Sequence, residues 1–312
     1  MKFIKLMLSA SIAALSLVSC NKHDAIPETV GTDNSLKTVE ISLENLFATK
    51  GETDAFLANE TAVVLNDFKI FLTDGTSIVE AGTVGGEVPV YYYSVAAGEL
   101  PKTATIHYVP ASVNKVVVVG NVGSDTWGDG ITSYADLKAQ KIAIIDEQDY
   151  KNLTLYGESV LISSGGVENH NGETYNLFRA EIKLAPLVAR FELDGFAMIF
   201  NATTPKFDKV EVNQIALNNY YTETTLAPLA PAVIQNRVTD VNDVNAFAFF
   251  SDNLSVTGPA AWYYDALPDG DIVLDRTAAS GDPLSVTDDM ATKRAYHFFP
   301  GTEIPQIFIQ LE

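Results

Sequence analysis

A single cysteine, Cys20, stands in 312 residues, so no intramolecular disulfide can brace this chain. Basic residues are scarce as well: 20 Lys and Arg face 40 Asp and Glu, for a formal charge of −20. A surface of that sign repels phosphate backbones and anionic headgroups, which argues against nucleic acid as a partner and against an electrostatic membrane patch. Its plainest consequence is solubility. Charged residues make up only 19% of the chain and hydrophobic ones 47%, a balance that packs cores and excludes wholesale disorder.

Catalytic signatures are missing too. Neither a P-loop nor a GxGxxG follows a strand pattern, and the GxSxG elbow is absent. His23, His107, His170 and His297 fall in different segments, with no HExxH and no close pair to offer one metal two imidazoles. His107 lies inside a strand pattern and reads as a structural histidine, so no metal and no cofactor are expected. Ser163, Ser164, Gly165 and Gly166 read as a turn. Asp125 to Gly130 (DTWGDG) is similar to a calcium loop, yet Trp127 stands where an oxygen ligand belongs. The expectation is a protein that is not an enzyme. A hydrolase whose site is assembled across strands would leave no local motif and stays open.

What is present begins at the amino end. Lys2 and Lys5 form a short positive segment, and Ile4 to Ala14 supply an apolar stretch too short for a stable membrane span. Leu17, Val18, Ser19 and Cys20 follow. This run resembles the lipobox of bacterial lipoproteins, in which the cysteine thiol is acylated and the bond before it is cut. The resemblance implies a signal peptide over 1–19 and a lipid anchor at Cys20, palmitate included. Acyl chains contribute about 0.8 kcal/mol per buried CH₂, so several hold where one would not. Asn21, being no aspartate, is similar to the residue of lipoproteins sorted to the outer membrane. Residues 20–37 carry Pro27 and Gly31 among polar residues and read as a flexible tether.

Beyond it the pattern is short runs of Val, Ile, Tyr, Phe and Thr between Gly, Asn and Asp clusters. Val39, Ile41 and Leu43 alternate with Glu40, Ser42 and Glu44, the period of a strand with one buried face. Similar runs cover 68–72, 88–95, 103–108, 116–119, 153–155, 160–162, 180–184, 188–193, 210–217, 246–250, 296–299 and 306–310. One helix is expected, over Thr132 to Lys141, with a hydroxyl cap, Asp136 early and basic residues late. Strands at this spacing with so little helix imply an all-β chain of sandwiches, not a parallel α/β sheet. A boundary at Ala185 and Pro186 gives an N-terminal β-sandwich domain over 38–185 and a C-terminal one over 186–312.

Several segments carry a wider likeness. Thr38 to Phe47 is an amphipathic strand, and Ala48 to Asp54 (ATKGETD) a polar loop after it. AVVLNDFKIFLTDG (62–75), VNKVVVVGNVGS (113–124), VARFELDGF (188–196) and FDKVEVNQIALNNYYTET (207–224) follow in order. Together they resemble the fimbrillins, the lipoprotein-derived pilins of type V (Bacteroides-type) fimbriae. The resemblance implies two tandem transthyretin-like Greek-key β-sandwich domains, the short helix in the first. It implies a subunit of a cell-surface fimbria, reached through the outer membrane, with adhesion and biofilm formation as its role. Its partners would be other fimbrial subunits and a maturation protease.

In such assembly a cut in the loop frees the first strand, here an apolar edge carrying Val39, Ile41 and Leu43, and a neighbour's strand takes its place. Arginine is the family's usual cleavage residue, whereas the first arginine here is Arg179. That leaves Lys50, with Gly51 after it, as the maturation site, or else a retained strand and an anchoring or capping role. AYHFFPGTEIPQIFIQLE (295–312) resembles a late but not final strand pair of the family's second domain. The alternative from another class is a monomeric surface lipoprotein that stacks glycans on Tyr91, Tyr92, Tyr93, Trp127, Trp262, Tyr263 or Tyr264, although aromatics in strands more often pack inward. Mass spectrometry of the mature surface protein is expected to find acyl chains on Cys20 and a new amino terminus at Gly51. A mature chain beginning upstream of Cys20 would refute the anchor.

Overall fold

The computed structural model of the chain describes residues 36–44, 63–98, 100–147, 149, 151–193, 195–199, 207–235, 264–266, 272–276, 285–288 and 294–312. Cys20, Lys50, Gly51, Trp262 and the run at 246–250 lie outside them. The first strands are β1 (Leu36–Glu44), β2 (Asp67–Thr73), β3 (Ile78–Val79), β4 (Tyr92–Ser94), β5 (Thr103–Pro110) and β6 (Lys115–Gly120). Among the described residues a single α-helix, α1 (Tyr134–Lys138), precedes β7 (Lys141–Ala143), β8 (Leu155–Val160), β9 (Ile162–His170), β10 (Glu173–Lys183) and β11 (Ala185–Pro186). The later strands are β12 (Ala189–Leu193), β13 (Phe196–Ile199), β14 (Lys209–Asn218), β15 (Tyr220–Thr225) and β16 (Ala232–Gln235). β17 (Tyr264–Ala266), β18 (Val273–Asp275), β19 (Ser285–Asp288), β20 (Arg294–Phe298) and β21 (Gln306–Leu311) complete them. The chain is all-β.

Two sheets face each other in the first half. One has the order β5-β1-β10-β9, the other β11-β8-β6-β2-β3 with β4 also on β2. Val39, Ile41, Ile106, Ala180 and Ile182 from the first meet Phe68, Ile70, Leu72, Val116, Val118 and Leu155 from the second in one core. Gly157 sits where the sheets converge: a Cβ there would stand 2.5 Å from Lys183 O, so only glycine lets the strands approach.

The second sheet is covered on its other face as well. Phe71, Val117 and Val119 turn away from the first core into another, which holds Tyr134 and Leu137 of α1 and Val212, Ile215, Leu217, Tyr220 and Phe299. That is why Val116 to Val119 is apolar without alternation: a strand buried on both faces has no polar side to show. In the second half β14 is the hub, pairing β21 along one side and β17 and β18 along the other. β15 pairs both β16 and β7, so a sheet runs between the two halves of the chain.

Asparagines end two central strands. Asn121 follows β6 at φ +58 and donates from Nδ2 to Val64 O and Leu153 O, both at 2.8 Å, while its Oδ1 accepts from Asn66 N at 2.8 Å. Asn218, fully buried, donates to Gln306 Oε1 at 3.1 Å, and Asn219 at φ +55 donates to Ile304 O. In each case the amide satisfies carbonyls that a turning strand would otherwise leave unpaired.

Some expectations need correcting. The helix is capped by Ser133, not Thr132, and ends at Lys138, because Lys141 already pairs in β7. Ser163 to Gly166 form no terminal turn but a stretch of β9, where Gly165 at φ +70 accompanies a register shift against β10; glycine there supplies a bulge. Residues 88–91 are loop, and only Tyr92–Ser94 pair. Asn121→Ala is expected to lower stability by about 2–4 kcal/mol, since it orphans buried carbonyls and puts a Cβ at positive φ. Urea denaturation measures this, and Asn121→Gly should recover only the backbone share; full recovery by glycine would disprove the bonding role.

Candidate functional site

β1 is the element on which the expected assembly chemistry rests. Val39 and Ile41 are wholly buried and Leu43 is half-buried against the same core. The expected edge position is wrong: β1 lies inside its sheet, antiparallel to β5 and parallel to β10, with Val39 opposite Ile106 on one side and Phe178 on the other. The physical reason is saturation. An edge strand satisfies one row of its peptide groups and offers the other to solvent, whereas here both rows are paired.

Sequence reading missed two residues of this strand. Lys37 looked like part of a tether, yet it is buried, and its Nζ donates to Ala111 O at 3.3 Å and to Val113 O. The ammonium also lies 4.4 Å above the Phe178 ring, a contact favourable for a cation over a π face. Burial pushes its pKa down. Thr38 is fully buried and faces His107 Nδ1 at 3.3 Å. No local signal marks either, because Lys-Thr ahead of an alternating run is the usual solvated face. The outer rim is held more loosely by Glu40 with Arg179 and Glu44 with Lys183, both at 3.2 Å.

Burying Val39 and Ile41 contributes roughly 3–6 kcal/mol at about 1.5–3 kcal/mol per side chain. Taking β1 out would also strip partners from the facing rows of β5 and β10, whose buried peptide groups cost on the order of 1–3 kcal/mol each when unmade. β1 is thus held by two ladders and by its apolar face together.

The loop over Asp125 to Gly130 is already filled by the protein itself. Lys69 Nζ donates to Asp125 O at 2.5 Å, Trp127 O at 2.8 Å and Asp129 Oδ1 at 2.8 Å. Converging oxygens that invite a cation hold an ammonium instead. Of the aromatics a sugar could stack on, Tyr93 stacks on Phe68 at 5.0 Å and Tyr91 packs against the first core while its hydroxyl accepts from Ala81 N. Trp127 meets Phe71 edge-on at 6.0 Å.

Beside the amino end of β1 the fold joins three residues that the sequence separates. Glu87 Oε2 and His170 Nε2 are 2.5 Å apart, and the His107 and His170 rings stack at 3.7 Å with 9° between their planes. The hydrogen bond from His170 holds the Glu87 carboxyl below the usual carboxylate range. The strand pattern around His107 presents it as structural, and 62 residues lie between it and His170 with nothing local to connect the two.

No protein-family model and no curated protein matches the sequence. Solved structures do. A candidate cell adhesion protein from Parabacteroides distasonis is 14% identical over 89% of this chain and 75% of its own, with a TM-score of 0.50. Another from Bacteroides eggerthii is 15% identical over 91% and 81%, with a TM-score of 0.47. A fimbrilin from Porphyromonas gingivalis is 13% identical over 88% and 71%, with a TM-score of 0.46. The likeness to the P. distasonis protein is one of fold.

Ile41→Ala is expected to cost about 2–5 kcal/mol in urea denaturation, and Glu40→Ala on the outer rim less than about 1 kcal/mol. Equal losses at the two positions would show that β1 is not held by its apolar face.

Proposed function

We propose that the chain is a structural, non-enzymatic subunit of a cell-surface fimbria, delivered to the outer membrane on a lipid at Cys20 and assembled by exchange of its first strand. One observation carries this reading: β1 buries Val39 and Ile41 completely against the facing sheet, so a segment that replaced it would need the same apolar alternation. Lys50 and Gly51 follow Glu44 in the sequence. A cut between them would leave Leu36–Glu44 held by two ladders and a few side chains alone.

The exchange follows from the same geometry. A segment bound without a covalent link has a finite lifetime, and an equivalent strand on a neighbouring subunit competes for the slot at high local concentration on a membrane. The incoming strand needs apolar residues at alternate positions to replace Val39 and Ile41. The two proposed domains, 38–185 and 186–312, supply an acceptor and a spacer. Support also comes from the fold shared with a candidate cell adhesion protein, and from the order of segments that resembles the fimbrillins. Among the described residues, Tyr91 and Tyr93 pack against the core, which counts against glycan stacking on those two rings.

Limited digestion of the purified protein with a lysyl endoprotease, followed by size-exclusion chromatography, tests the proposal. Cleavage after Lys50 should produce a ladder of oligomers, Lys50→Ala should remain monomeric, and excess peptide LKTVEISLE should suppress the ladder. A chain cut at Lys50 that stays monomeric, or surface polymers whose subunits still contain Ile41, would overturn it.

A further inference from the structure

Three local devices converge beside β1. Glu87 closes a tight turn, Val84 to Glu87, in which Gly85 and Gly86 take φ +65 and +84 and Glu87 N donates to Val84 O. His170 precedes a second such turn, where Asn171 and Gly172 take φ +50 and +84 between β9 and β10. Turns with positive φ at both central residues are rigid hairpin closures. His107 stands on β5 at a bulge: β1 and β5 shift register between Lys37 and Val39, so Thr38 faces both His107 and Tyr108, the latter at φ +56. Asn171 links the devices, donating from Nδ2 to Tyr108 OH at 2.6 Å.

We propose that Glu87, His107 and His170 bind a divalent transition-metal ion of the zinc class. Each offers one ligand atom, and the three atoms lie within 4.8 Å of one another. A tetrahedral zinc with bonds of about 2.0–2.2 Å holds its ligands about 3.3–3.6 Å apart, so closure needs shifts on the order of 1 Å and a tilt of the two stacked rings, whose in-plane lone pairs run parallel and must converge. Partial exposure of His170 and the exposed Glu87 permit them.

The donor set selects the ion. Two imidazoles and a carboxylate suit zinc, cobalt or nickel, whereas calcium and magnesium prefer oxygen alone. Surrounding groups complete the arrangement. His107 turns Nδ1 toward Thr38 Oγ1 at 3.3 Å and Glu168 Oε2 at 3.8 Å, which leaves Nε2 for a metal. Glu168 Oε2 is buried and accepts no hydrogen bond among the described residues. A carboxylate behind a ligating imidazole fixes the ring and raises its basicity, a role that gives this oxygen its missing partner. The ion pairs Glu87–His170 and His107–Glu168 account for each carboxylate singly but not for two imidazoles stacked between them. An ion there would bind the 84–87 turn, β5 and the β9–β10 hairpin together. The inference stands apart from the fimbrial reading.

Calorimetric titration of the chelator-treated full chain with zinc chloride, backed by the visible absorption of cobalt, tests it. One equivalent should bind with micromolar affinity or better and raise the melting temperature, while calcium does neither. His107→Ala and His170→Ala should each abolish saturable binding. Glu168→Gln should weaken it by about 10–100-fold, and His23→Ala should change nothing. Circular dichroism without metal checks that the variants fold; should His107→Ala fail, Glu87→Gln and His170→Asn, at more exposed positions, take its place. Absence of saturable binding, or binding unchanged by loss of His107, His170 or Glu87, would overturn the proposal.

Discussion

The insertion of Leu36–Glu44 between Thr103–Pro110 and Glu173–Lys183 is the contact on which the first sandwich depends. It closes the sheet β5-β1-β10-β9 and seats Val39 and Ile41 under the opposite sheet. Without it β5 and β10 would face each other across a gap with unpaired peptide groups on both sides. Pairing between positions so distant in the chain is slow to form, because loop closure precedes any gain from contact. Losing the strand would cost both its buried side chains and the peptide partners of β5 and β10.

A second constraint is the sheet that has no outer face. With Ile70, Leu72, Val116 and Val118 in one core and Phe71, Val117 and Val119 in the other, strands β2 and β6 transmit packing across the molecule. The interior has little room for charge, and the chain handles its few inward cations by surrounding them. Lys37 is met by two carbonyls and an aromatic face, and Lys69 by the oxygens of the 125–129 loop. Buried carboxylates are met in the same way: Asp67 accepts from Val122 N and Gly123 N, and Glu147 from Thr154 N and Oγ1.

The histidine cluster belongs to this picture because Thr38 of β1 touches it. Local conformations that look incidental, a Gly-Gly turn, an Asn-Gly turn and a bulge, bring Glu87, His107 and His170 to one place. Positive φ at these points restricts the backbone far more than a flexible loop would. The side chains are consequently held near each other before any ligand arrives.

How much was legible beforehand depended on whether the signal was local. The alternation at Val39, Ile41 and Leu43 and the apolar run at Val116 to Val119 are periodic cues, and each marked a strand. By itself the sequence determined that the chain is all-β, acidic, without disulfides, and that one face of its first strand is buried, since residue spacing and side-chain chemistry fix these wherever the strand goes. Only the tertiary structure decided that β1 lies inside its sheet, that Lys37 and Thr38 are buried, and that His107 meets His170. Those facts depend on which strands become neighbours across long stretches of chain, and pairing energies of that kind leave no periodic trace in the residues that share them.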